Sequence, residues 1–176
     1  MTKGEKGTWE YTLNGDLEGK YYTYVVTNNA YTNREVVDPY AKSTGINGYR
    51  GMIVDFAATN PEGWDNVKLL EIPAQALTVY ETHVADMTSS ASWGGTAENA
   101  KIFKGLYETG TTFTMGSTTV TTGFDHIKEL GVNAVQLIPI YDQANDERPN
   151  DDPTRTDGSV RAFNWGYNPL NYNSLD

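Results

Sequence analysis

GFDHIKELGVNAVQLIPI, residues 123–140, passes from a short helix into an apolar strand, and its reading decides the fold. Phe124, Ile127 and Leu130 recur at three-residue spacing, which sets them on one helical face. Gly131 supplies the residue type that ends a helix. Asn133 to Ile140 then reads as a buried strand, and LTVYETHV, residues 77–84, as an earlier one. Strand, long connection, helix, strand is a βαβ unit, the repeating piece of a parallel sheet. Parallel sheets occur with both faces covered and several strands present. After Ile140 no further strand is read, so this α/β pattern is expected to be cut short at its end.

Residues 8–58 follow a different grammar. Thr8 to Leu13 alternates apolar and polar residues, and Asn14-Gly15-Asp16 is turn chemistry. Lys20 to Thr27 is rich in β-branched and aromatic residues, Asn28-Asn29 turns it into Tyr31 to Val37, and Gly51 to Phe56 is another strand. Short strands with frequent turns predict a β-sandwich, with fewer strands than two packed sheets need. Residues 59–76 read as a linker.

Composition narrows the function classes. A net charge of −10 argues against nucleic acid, whose phosphates need clustered Lys and Arg. The absence of cysteine excludes disulfides, thiol catalysis and structural Cys-zinc sites. No apolar run is long enough to span a bilayer and none follows the N-terminus as a signal segment, so a soluble chain with no membrane partner is expected.

The candidate site is FNWGYNP, residues 163–169. Rings suit the flat face of a sugar and amides suit its hydroxyls. On an extended backbone Trp165 and Tyr167 would share a side, with Gly166 opposite. The competing reading packs the rings against the body of the fold. Asn164 and Asn168 either bond hydroxyls or cap turns, and Asn before Pro is a turn former.

The order GKYYTYVVTN, EVVDPYAKSTGINGYRGMIVDF, PEGWDN, LTVYETHVADMTSSAS, GFDHIKELGVNAVQLIPIYD, FNWGYNPLNY resembles the N-terminal part of bacterial type I pullulanases over residues 7–176. These are starch-debranching glycoside hydrolases of the α-amylase superfamily. The resemblance implies two domains. Residues 1–70 would be the C-terminal part of a β-sandwich carbohydrate-binding-type module. Residues 71–176 would begin a (β/α)8 TIM barrel, with Val79 to Val84 as barrel strand one and Val135 to Ile140 as strand two. The family signature usually opens with Tyr where this chain has Phe163. Carried over by position, Tyr167 stacks a sugar beside the cleaved bond, with Trp165, Asn164 and Asn168 around it.

The implied function is retaining hydrolysis of α-1,6 branch linkages in pullulan, amylopectin, starch or glycogen-derived limit dextrins. Retention needs two carboxylates roughly 5 Å apart. In the family the Asp nucleophile, Glu acid/base and a second Asp follow strands four, five and seven. No carboxylate here takes a catalytic role, and this chain alone is expected to be inactive. Its partners would be α-glucan and the remainder of the barrel. An extracellular or cell-surface location is favoured over a cytoplasmic one. The alternatives are a non-catalytic glucan-binding module, or a fragment of a related branching or α-1,4-acting enzyme.

Other residues have plainer readings. Glu81 and His83 would point to one side of a strand, as a barrel-interior polar pair rather than an acid and base. His126 is a polar, outward helix residue. Asp142 to Asp152 is acidic, but it lacks the spacing and central glycine of a calcium loop, so a solvated rim loop is favoured and no cofactor is assigned. Tyr22 and Tyr24 share a face with Tyr21 opposite, and core packing is favoured over starch binding.

Overall fold

In the computed structural model, residues 1–146 and 164–176 are described. Among the described residues, twelve strands pair two by two. β1 (Thr2–Lys3) and β2 (Trp9–Glu10) pair antiparallel, as do β3 (Tyr21–Tyr22) with β6 (Gly51–Met52) and β4 (Tyr24–Val26) with β5 (Arg34–Val36). β7 (Val79–Thr82) runs parallel to β10 (Ala134–Leu137). β8 (Thr112–Met115) with β9 (Thr118–Thr121), and β11 (Tyr141–Gln143) with β12 (Pro169–Leu175), are antiparallel. The α-helices are short: α1 (Phe56–Thr59), α2 (Val84–Met87), α3 (Phe103–Leu106) and α4 (Gly123–Glu129).

In the front half, local hydrogen bonds cut the expected strands short. Lys20 to Thr27 divides at Thr23, because Tyr21–Tyr22 and Tyr24–Val26 take different partners. The turn after β4 forms at Asn28, whose Oδ1 accepts from the N–H groups of Ala30 and Tyr31, both at 2.9 Å. The strand expected through Phe56 stops at Met52. Asp55 caps a helix there, its Oδ1 accepting from Ala57 N–H at 2.9 Å, and Phe56 opens α1. The front half is thus a set of two-stranded antiparallel ladders.

The βαβ unit is present: β7 and β10 pair in parallel with α4 before β10. Neither strand is buried throughout, as the apolar runs had suggested. Val79 and Val135 are 45% and 41% exposed. The pair has no third strand among the described residues, and in β7 only the alternate positions Tyr80 and Thr82 turn inward. On α4, Ile127 is buried and Phe124 half-buried, but Leu130 falls at the C-cap and stays exposed. The connection from β7 to α4 holds the β8–β9 hairpin and the buried Trp93, whose carbonyl accepts from the Thr122 hydroxyl.

Two strands lie beyond Ile140, where none was expected. They were missed because β11 is three residues of mixed polarity, and because β12 opens on Pro169. A proline is tolerated at a strand's first position, where its missing N–H leaves no gap in the ladder. Polar side chains also join this pair to the front segment. Asn171 Nδ2 donates to Gly48 O at 3.1 Å and to the Asp142 carboxylate. Thr44 and Ser174 hydroxyls meet at 2.7 Å, and Asn47 Nδ2 donates to Asp146 Oδ1 at 3.2 Å. Asp142, Asn171 and Ser174 are all buried. No described helix is long and apolar enough to cross a membrane.

Candidate sugar-binding loop

The aromatic motif is described from Asn164 onward; Phe163 lies outside the described residues, as do 147–152 of the acidic segment. Asn164 starts the loop with an Asx-turn, its Oδ1 accepting from Gly166 N–H at 2.7 Å. Gly166 has φ +85°, and a Cβ there would collide with the carbonyl oxygen of Pro139. Only glycine combines that left-handed backbone with so close an approach.

The loop is held from several directions. Gln143, buried at 2% exposure, donates Nε2–H to Gly166 O at 3.0 Å and to Tyr141 O at 2.6 Å. Its Oε1 accepts from Asn168 N–H at 3.0 Å, and Ala144 N–H donates to Asn168 O at 2.9 Å. Asn164 Nδ2 donates to Asn145 Oδ1 at 2.9 Å. His83 Nε2 lies 2.8 Å from Asn164 O.

The two rings stand outward on this frame, Trp165 66% and Tyr167 65% exposed. The extended backbone assumed for them does not exist, because Gly166 breaks the alternation with its positive φ. Trp165 is thus largely exposed among the described residues. The Asn164 side chain is spent on the turn and on Asn145. The Asn168 backbone is bonded on both sides, and its residue surface is exposed.

His83 and Pro139 sit just past the C-terminal ends of β7 and β10. The loop they touch therefore lies where parallel α/β strands present their ligands. His83 has left the strand to take the N-cap of α2, where its ring Nδ1 accepts from Asp86 N–H at 3.3 Å. The same-side strand geometry expected for Glu81 and His83 thus ends at Thr82. Gln143 was read only as part of a polar rim; a lone Gln in a short strand gives no pattern by which to find it.

The remaining candidates are placed as follows. His126 is exposed on α4. Asp142, read in the acidic loop, is a buried strand residue bonded to Asn171. No cluster of metal-binding side chains occurs among the described residues. Tyr22 and Tyr24 do share a face, with ring centroids 5.9 Å apart in an edge-on contact. Tyr22 donates to Asp38 Oδ2 at 2.8 Å, and burial first, then that carboxylate, raise its pKa above the usual tyrosine value. Tyr21 is exposed.

No protein-family model matches the chain. It is 35% identical to a pullulanase of Bacillus subtilis (strain 168) over 177 residues, covering 98% of this chain and 22% of that protein. Among solved structures, a Paenibacillus barengoltzii pullulanase in complex with maltohexaose and α-cyclodextrin superposes with TM-score 0.81 and 38% identity, covering all of this chain and 26% of that one. The pullulanase of Bacillus acidopullulyticus gives TM-score 0.80 at 38% identity, covering 20% of that chain. The chain thus spans about a fifth to a quarter of the length of these relatives. Over its full length it resembles, in sequence and in fold, one part of a bacterial pullulanase.

Proposed function

We propose that this chain is part of a retaining, pullulanase-like glycoside hydrolase acting on α-1,6 branch linkages of pullulan, starch or glycogen-derived dextrins. Residues 1–70 belong to a carbohydrate-binding-type module and residues 71–176 to the start of a (β/α)8 barrel. The chain supplies one wall of the cleft. Tyr167 stacks on a sugar ring beside the scissile bond, Trp165 extends the platform, and Asn164 and Asn168 shape the subsite. The reacting carboxylates come from outside these 176 residues.

One observation supports this reading above the others. Two aromatic rings are exposed on a loop that is anchored by hydrogen bonds at Asn164, Gly166 and Asn168, at the C-terminal ends of the parallel pair. An exposed ring on a rigid base loses little entropy on stacking, which suits weak, directional sugar contacts. A relative whose solved structure carries maltohexaose and α-cyclodextrin is consistent with α-glucan as the ligand class.

The test uses saturation-transfer NMR with maltotriose and the purified chain. Transfer through the Tyr167 ring is expected, falling at least fivefold in Tyr167→Ala. Undiminished transfer in that variant would remove Tyr167 from the subsite. The chain is expected to release no reducing sugar from pullulan; release by an intact, mass-verified sample would mean that it carries its own carboxylates.

A further inference from the structure

We infer that His83 is a positioning residue that fixes the sugar platform to the end of β7 through a single ring tautomer, an inference that rests on the platform reading of Tyr167. His83 directly follows Thr82, the last residue of β7, and its ring bridges two segments. Nδ1 accepts from Asp86 N–H at 3.3 Å, at the start of α2. Nε2 lies 2.8 Å from the carbonyl oxygen of Asn164, one residue before Trp165.

The chemistry of the two partners sets the proton. A backbone carbonyl only accepts, so Nε2 must carry the hydrogen; a backbone N–H only donates, so Nδ1 must be bare. The neutral Nε2–H imidazole satisfies both contacts, and the other neutral tautomer satisfies neither. The ring thereby cross-links the end of barrel-like strand β7 to Asn164, while Pro139, beyond β10, abuts Gly166. Tyr167 is then held relative to both parallel strands, which is the accuracy a stacking residue needs.

Two substitutions separate positioning from helix capping. The amide nitrogen of Gln reaches near the Nε2 position and can donate to Asn164 O. The amide oxygen of Asn lies near Nδ1 and keeps the α2 cap, but its side chain is too short to reach Asn164. Positioning predicts that His83→Asn speeds hydrogen exchange at Gly166 N–H by about fivefold or more, the weight of one hydrogen bond. His83→Gln should restore most of the protection. A capping role alone predicts the reverse order, and that order would overturn the inference.

The wild-type chain gives an independent reading. The ¹⁵N spectrum of neutral His83 should show a protonated Nε2 and a bare Nδ1; an Nδ1–H form would also overturn the inference, whatever the stability of the variants. Maltotriose saturation transfer should fall in His83→Asn and recover in His83→Gln. If the wild-type chain shows no transfer at all, the platform reading fails, while exchange and tautomer still decide what His83 does.

Discussion

At the residue scale, the geometry of the aromatic loop depends most sharply on Gly166. The motif was legible because Trp, Gly, Tyr and two Asn at this spacing are unusual together, but the reason for the glycine was not. An extended backbone had made it the small residue between two rings. In the structure it has φ +85° and lies against Pro139 O, so it turns the chain over the end of β10. An alanine would add a left-handed strain of about 1–3 kcal/mol and a collision with an unyielding carbonyl. The loop is expected to lift away rather than unfold the chain. Gly166→Ala should lose maltotriose saturation transfer at least fivefold while the thermal midpoint falls by only about 2–4 °C, the shift of roughly 1 kcal/mol in a domain of this size. Retained transfer would show that the turn does not set the platform. What remained hidden in the sequence has a common physical cause. Gln143, Asn145 and His83 contact the loop across gaps of 25, 19 and 81 residues, and no local periodicity marks such partners.

At the scale of elements, the parallel pair was readable and its burial was not. Apolar runs at residues 77–84 and 133–140 specify strands, and the helix before the second specifies a crossover. Whether a strand is buried depends on what packs over it, and sequence periodicity carries no information about absent neighbours. β10 has β7 on one side and no strand on the other among the described residues, and Val135 is 41% exposed. An open, apolar strand edge is a template for pairing with another copy. The isolated chain should therefore associate as its concentration rises, seen as an increasing sedimentation coefficient. Val135→Lys, which places a charge beside that edge, should return the chain to a monomer. A wild-type chain that stays monomeric across the micromolar range would show that this edge is protected. The front-half strands were misjudged for a different reason. Asp55 and Asn28 bond their own neighbouring backbone, and such local side-chain bonds end a strand that β propensity alone would continue.

At the scale of the whole molecule, the front ladders and the site-bearing strands share a buried polar seam. Asn171 joins Gly48 O to the Asp142 carboxylate, and Thr44 meets Ser174. Residue 171 is three positions past Asn168, so the seam fastens the strand that leads directly out of the aromatic loop. A buried carboxylate and amide that lose a partner pay a desolvation cost of about 1–3 kcal/mol each, so the contact is expected to be cooperative rather than incidental. Gly48 is the sharpest probe of it. Its φ is +65°, and a Cβ would run into both Asp142 Oδ2 and Asn171 Nδ2. Gly48→Ala should therefore destabilise the chain by about 2–3 kcal/mol. For a domain of this size that lowers the midpoint by roughly 4–12 °C. If the seam couples the two regions, near-ultraviolet circular dichroism and amide exchange should report one transition for residues 39–52 together with 141–146 and 164–175, displaced as a unit by the substitution. If instead the front ladders melt separately, with β11–β12 keeping its midpoint in Gly48→Ala, the front segment is a spacer and the aromatic loop owes its placement to β7 and β10 alone.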